Sequence, residues 1–225
     1  MSTFDVKAEL FEQLARIGKA LGSPYRLQLL DFLAQGERSV DALAQLSKLS
    51  ITNASQHLQH LRRAGLVQAR KEGLYVYYRL SGDSVVRLVA AMRTAGEAHV
   101  AEMDKLIKEY LNAKDELEPV PARELLERAK SGLVTILDVR PPEEYRAGHL
   151  PGAINIPLSD VAKRVNELPP GREVVAYCRG PYCLMSFEAV ALLRNKGRQA
   201  RRLQDGYPEW KLLGLPVEQD APRSG

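Results

Sequence analysis

Ser47-Lys48-Leu49-Ser50-Ile51-Thr52-Asn53-Ala54-Ser55-Gln56-His57-Leu58-Gln59-His60-Leu61-Arg62-Arg63-Ala64-Gly65 is the stretch on which the fold of the first half turns. Ser50 is a cap residue ahead of a helical pattern over Ile51–Ala64, and Gly65 stops it. Ala54, Leu58 and Leu61 recur at helical spacing and define a buried stripe. The opposite face carries Thr52, Asn53, Gln56, Gln59, His60 and Arg63, with Ser55 beside them. Short polar, amide and cationic groups of this kind pair with base edges and phosphates in a major groove.

Upstream, Phe4–Leu21 and Pro24–Ala34 read as helices, the second ending at Gln35-Gly36. Ser39–Leu46 reads as a short third helix with Ser39 as its cap. The tight connection Ser47-Lys48-Leu49 then makes a helix-turn-helix whose second helix is the reader. Downstream, Leu66–Ala69 and Leu74–Leu80 read as strands around a basic tip, Arg70-Lys71-Glu72-Gly73. A basic hairpin beside a reading helix is a wing suited to neighbouring phosphates, and Arg70 and Lys71 join the candidate contacts. Ser81–Leu111 follows as one long helix with Val85, Val89, Met92, Gly96, Val100, Met103 and Tyr110 along a stripe. That stripe is longer than a small domain covers. It fits pairing with a second copy, or packing against the first helix.

Charge singles out the same region. The 32 Lys and Arg against 28 Asp and Glu leave a formal charge of +4. Residues 50–80 hold Arg62, Arg63, Arg70, Lys71 and Arg79 against Glu72 alone, a local excess equal to the whole. Hydrophobic residues at 45% and charged residues at 27% are ordinary globular values, which excludes wholesale disorder. Apolar runs such as Leu133–Leu137 are far too short for a bilayer, so no membrane role is expected. The N-terminus lacks a basic region followed by an apolar stretch, so no secretory signal is expected. Two cysteines in 225 residues make no disulfide framework and fit a reducing cytoplasm.

The second half changes character. Asn112–Pro121 is charged and ends in two prolines, which places a linker at 113–121 between domains at 1–112 and 122–225. Beyond it short β-branched runs alternate with helical stretches, the mark of an α/β domain with a central parallel sheet. Ala122–Ser131, Val161–Leu168, Met185–Lys196 and Tyr207–Leu213 read as helices. Val134–Leu137, Glu173–Tyr177 and a short piece at Arg201-Arg202-Leu203 read as strands, and Pro141–Pro157 as a loop. The chemistry lies at Cys178, where a strand ends, followed by Arg179-Gly180-Pro181-Tyr182-Cys183. Backbone N–H groups of such a loop, with the positive end of the next helix, favour a thiolate on Cys178 and stabilise a persulfide formed there. Gly180 allows close backbone approach. Cys183 either attacks that persulfide, releasing sulfide, or faces inward at the helix start.

Two resemblances rest on these residues. Leu21-Gly22-Ser23-Pro24-Tyr25-Arg26-Leu27, Ser55-Gln56-His57-Leu58 and Leu61-Arg62-Arg63-Ala64-Gly65-Leu66-Val67 resemble the ArsR family of winged-helix repressors. That implies a homodimer on double-stranded operator DNA, paired through the Ser81–Leu111 helix and released when a metal, metalloid or reactive sulfur species is sensed. His57 matches the family's His-Leu pair and reads as packing rather than base contact. Asp138-Val139-Arg140, Glu144-Tyr145, the run Gly148–Pro157, Tyr177-Cys178-Arg179-Gly180 and Gly206-Tyr207-Pro208-Glu209-Trp210 resemble a single rhodanese domain. That implies sulfane sulfur carried as a persulfide on Cys178, from a small donor such as thiosulfate or polysulfide. His149 and Asp138 lie in motifs read as structural. The loop departs from the pattern, since Cys183 stands where catalytic rhodaneses often keep a cation. Leu184 occupies the place of the arginine that phosphatases of that fold require.

The helix before the reader has no cysteine, and His99 is the single imidazole of the last helix, so no metal site and no cofactor are expected. Residues 1–177 contain no cysteine, which puts any sulfur sensor in the second half. The chain therefore reads as a DNA-binding regulator, acting as a repressor, whose rhodanese-like half senses or carries reactive sulfur. The alternative is a sulfurtransferase enzyme whose first half binds DNA or dimerises it.

Overall fold

The computed structural model describes residues 3–111 and 118–220, so residues 113–117 of the expected linker lie outside the described residues. The chain divides into two compact units, the first 90 residues and the remainder.

The first unit opens with α1 (Thr3–Leu21) and α2 (Pro24–Ala34), the latter starting on a proline, whose missing N–H costs nothing at that position. A two-residue strand β1 (Arg38–Ser39) leads into α3 (Val40–Ser47). The expected caps are present. The Ala42 amide donates to Ser39 Oγ and the Asn53 amide to Ser50 Oγ, each at 3.2 Å. Lys48 closes α3 in the left-handed region (φ 55°) and Leu49 and Ser50 complete the turn into α4 (Ile51–Arg63). The stripe of Ala54, Leu58 and Leu61 is buried as its spacing requires, against Leu29, Leu30 and Leu43.

The wing differs from its expected form. β2 (Val67–Glu72) and β3 (Tyr75–Leu80) pair antiparallel from Val67–Leu80 through to Glu72–Tyr75. Arg70 and Lys71 therefore lie on the strand, and the tip is Gly73-Leu74, with Gly73 at φ +57°. Charged residues prolong this strand because a two-stranded ribbon leaves both faces in water. β1 adds to the other edge of β3, giving the order β1-β3-β2.

The long helix is also revised. It breaks at Val100 into α5 (Asp83–His99) and α6 (Ala101–Leu106), with a π turn at Ile107–Leu111. Met103 Sδ packs against Gly96, 2.5 Å from where a Cβ would stand.

The second unit contains a parallel sheet of order β5-β4-β6-β7, built from β4 (Val134–Asp138), β5 (Ile154–Asn155), β6 (Glu173–Tyr177) and β7 (Ala200–Arg202). β4 is buried along its whole length, as a parallel strand covered on both faces must be. Alternate residues divide between two cores. Leu137, Val174 and Ala176 face Val161, Val190 and Leu193 of α9 (Leu158–Arg164) and α10 (Leu184–Asn195). Ile136, Val175 and Tyr177 join Leu125 and Trp210 of α7 (Ala122–Lys130) and α11 (Tyr207–Leu212). The stretch expected as a loop, Pro141–Pro157, instead holds α8 (Pro142–Ala147) and β5. Six and two residues are too few for a periodic signal. No helix among the described residues is long and apolar enough to cross a membrane.

Candidate functional site

The strand order reverses between β4 and β6, and their carboxyl ends are where an open α/β sheet offers a crevice. Cys178 follows β6 at that point and is 2% exposed. Its thiol lies 3.2 Å from Ser186 Oγ, 3.3 Å from the Cys183 carbonyl oxygen and 3.8 Å from that of Gly180. Cys183 sits half-buried at the N-cap of α10 and turns back through its amide to the Gly180 carbonyl (3.0 Å).

Burial pushes the Cys178 thiol well up, helped by the neighbouring Cys183, and the Ser186 hydroxyl and the Gly180 backbone only partly offset this. Cys183 is pulled down to about 7, first by the Cys178 S–H and then, against its own partial burial, by the Arg179 and Met185 amides. The loop's N–H groups and the start of α10 thus favour charge on the second cysteine of the pair.

The loop is held from three sides. Arg179 Nε donates to both Glu144 carboxylate oxygens at 3.0 Å and its Nη2 donates to one at 2.6 Å, with Glu144 fully buried. Gly206 brings a second backbone against Arg179 and Gly180, closer than any Cβ would permit, and the Tyr207 amide donates to the Cys178 carbonyl at 3.2 Å. Tyr182, exposed on the loop, donates its hydroxyl to Glu97 at 2.5 Å, and a cleft of about 350 Å³ opens beside it. Glu144 and Gly206 were not singled out from sequence. Their only signals are the Glu144-Tyr145 and Gly206-Tyr207 motifs, whose partners lie far away in the chain.

Beside the loop, Asp138 is buried in a satisfied network. It accepts from the Arg140 guanidinium (2.6 Å) and the Tyr177 hydroxyl (2.5 Å), and Arg140 also donates to the Gly148 carbonyl (2.8 Å). The Tyr177 hydroxyl in turn accepts from the Leu150 amide at 3.2 Å. This ties the ends of β4 and β6 to the Gly148–Pro157 run. His149 stacks on Tyr145 at 3.7 Å and its Nδ1 lies 2.8 Å from the Tyr145 carbonyl. Both residues sit in networks that hold the site rather than in the thiol pocket.

In the first unit the structure exposes Thr52, Asn53, Gln56, Gln59, His60 and Arg63 together on α4. Ser55 is half-buried and accepts weakly from Gln59 Nε2 (3.4 Å). A groove of about 560 Å³ runs between α4 and the wing, lined by Ser55, Gln59, Arg62, Arg63, Val76 and Tyr78. Arg62, absent from the expected contacts, is exposed there, and its place in a basic run was the available signal. Lys71 is exposed, whereas Arg70 is engaged with Glu37 and Glu72 and lies 4.6 Å over the Tyr77 ring. His57 packs against Tyr25, and burial lowers its pKa with help from Arg26 and His60.

Residues 121–213 match the model of the rhodanese-like domain, and residues 21–68 match a helix-turn-helix domain model. The HTH-type transcriptional regulator Rv0324 of Mycobacterium tuberculosis is 48% identical over 97% of this chain and 96% of its own length. A sulfurtransferase of Allochromatium vinosum is 34% identical over 37% of this chain and 78% of its own. Among solved structures, the homodimeric winged helix-turn-helix DNA-binding domain Mb0332 of Mycobacterium bovis is 47% identical. It covers 44% of this chain and 93% of its own, with a TM-score of 0.41.

Proposed function

The chain belongs to the HTH-type transcriptional regulators that join an ArsR-type helix-turn-helix to a rhodanese-like domain, and from that premise we propose that it is a sulfur-responsive repressor. It acts in the cytoplasm as a homodimer on double-stranded operator DNA. Reactive sulfur, taken from a donor such as polysulfide or thiosulfate and held as a persulfide on Cys178, changes operator occupancy.

One observation carries this reading. Both cysteines of the chain stand in a single loop, five residues apart, at the carboxyl end of β6. All thiol chemistry is therefore concentrated where a rhodanese-like domain holds sulfur, and the winged helix has none of its own. The polar face of α4 supports the DNA contact: Thr52, Asn53, Gln56 and Gln59 serve base edges, while Arg62, Arg63 and Lys71 serve phosphates. Arg70 is assigned instead to bracing the wing through Glu37.

The test is operator binding at fixed salt, with DNA from upstream of the protein's own gene. Reduced protein, polysulfide-treated protein and Cys178→Ser are compared. A shift of about tenfold in the wild-type midpoint, about 1.4 kcal/mol, that Cys178→Ser lacks is the expected result. Specific binding that ignores both sulfur and Cys178 overturns the coupling and leaves sulfur transfer as a separate activity.

A further inference from the structure

We propose that Tyr182 and Glu97 form a latch by which the reduced cysteine loop holds α5, and that sulfur on Cys178 opens it. The inference rests on the sulfur reading above and names the contact that carries the signal from the loop to α5.

The first half of α5 packs by Val85, Leu88 and Val89 into the core of the first unit. Its second half belongs to the second unit, where Arg93 and Glu97, one helical turn apart, share a face. Arg93 donates to Glu209 at 3.0 Å, and Glu97 accepts from the Tyr182 hydroxyl at 2.5 Å. The two anchors differ in what stands behind them. Glu209 also accepts from the Gly206 amide at 3.2 Å, and Gly206 lies against the backbone of Arg179 and Gly180. Arg179 is tied in turn to the buried Glu144, so this anchor is fixed. Tyr182 is 42% exposed, and its ring lies 5.8 Å from the Arg93 guanidinium. This anchor can move.

Sulfur loading acts on the movable anchor for a steric reason. Cys178 is 2% exposed, and Ser186 Oγ and the carbonyl oxygens of Cys183 and Gly180 already stand 3.2, 3.3 and 3.8 Å from its sulfur. In the loading step the thiol gives up its proton and attacks the outer sulfur of a low-molecular-weight persulfide. The donor's S–S bond breaks as a new one forms on Cys178, and the donor leaves as a thiolate that takes the proton. One sulfur atom moves and no net redox change occurs. The added sulfur sits about 2 Å beyond the old one, inside the shell those oxygens close. Arg179 and Gly180 are confined by Glu144 and Gly206, and Ser186 belongs to α10, which Phe187, Val190 and Leu193 seat in the core. Pro181-Tyr182-Cys183 is the part of the loop left to yield. A shift of about 1 Å there carries the Tyr182 hydroxyl to the outer limit of a hydrogen bond, about 3.5 Å, and Glu97 is released. α5 keeps Arg93 on Glu209 and loses its second hold, which is the discrete two-state change that coupling requires.

Full-length wild type, Tyr182→Phe and Glu97→Gln are compared with and without saturating glutathione persulfide. Sulfur per chain is read by intact mass and operator affinity by anisotropy at fixed salt. Both variants should load sulfur as fully as the wild type. Their unloaded affinity should already lie within about twofold of the loaded wild type, and loading should change it less than about twofold, against about tenfold in the wild type. Phenylalanine keeps the Tyr182 ring and glutamine keeps the Glu97 shape, so the packing around the latch is retained. Hydrogen exchange on the wild type gives a second readout free of any substitution, and amides of residues 91–99 should exchange faster once Cys178 is loaded. A tenfold response kept by both variants, or exchange over 91–99 unmoved by full loading, overturns the latch while leaving the sulfur reading intact. Variants that ignore sulfur yet stay at the reduced wild-type affinity overturn it as well. If the wild type gains no sulfur, or gains it with no change in affinity, both fall together.

Discussion

Replacing Glu144 by glutamine removes the charge that anchors the residue next to Cys178. Glu144 is fully buried and its carboxylate takes three hydrogen bonds from an Arg179 side chain that is 15% exposed. Breaking a buried pair from one side costs about 3–5 kcal/mol, and the partial exposure of Arg179 reduces this to about 2–4. Trp210 is the single tryptophan of the chain and lies in the core of the second unit, so its fluorescence follows the unfolding of that unit. With a urea dependence of about 2 kcal/mol per molar, the midpoint should fall by about 1–2 M. The apolar pair Glu144→Leu with Arg179→Met should recover most of the loss, because it leaves no buried charge behind. A midpoint for Glu144→Gln within about 0.2 M of wild type, or a double variant no better than the single one, would refute the reasoning.

Three further outcomes follow from the same geometry. Gly206→Ala places a Cβ in the backbone of Arg179 and Gly180, so it should cost about 1–3 kcal/mol and slow sulfur uptake; unchanged uptake would show that the loop yields freely. Alkylation of Cys183 should rise about tenfold per pH unit up to about 7 and level off above it, since the thiolate is the reactive form and its pKa is lowered; a midpoint near 9 would contradict this. Gln56→Ala should lose about 1–3 kcal/mol on the cognate operator alone, whereas Lys71→Ala should weaken all duplexes and reduce the salt slope by about 1. Equal effects of the two on all sequences would remove the division between reader and wing.

Much of this could be read from the sequence because it is written locally. The stripe of Ala54, Leu58 and Leu61, the caps Ser39 and Ser50, and the strand before Cys178 depend on neighbours within a turn or two. The features that escaped depend on distant partners. Whether Cys178 or Cys183 ionises first is set by burial and by where amides point, and neither follows from spacing. Glu144 is only a carboxylate in a surface-like motif until folding brings it to Arg179, 35 residues on. The break in the long helix at Val100 is announced by no periodicity. The ion pair of Arg70 is likewise hidden from the sequence, because its partner Glu37 lies outside the wing.

The central claim is that sulfur on the cysteine loop and DNA on the winged helix are thermodynamically linked, and linkage is reciprocal. The most direct measurement follows both in one titration: operator occupancy by fluorescence anisotropy and sulfur per chain by intact mass, as donor is added. Occupancy should change with the same midpoint as sulfur uptake. Saturating operator should displace the sulfur-loading midpoint by the factor by which sulfur displaces the DNA affinity. Full sulfur loading with occupancy unmoved would contradict the account.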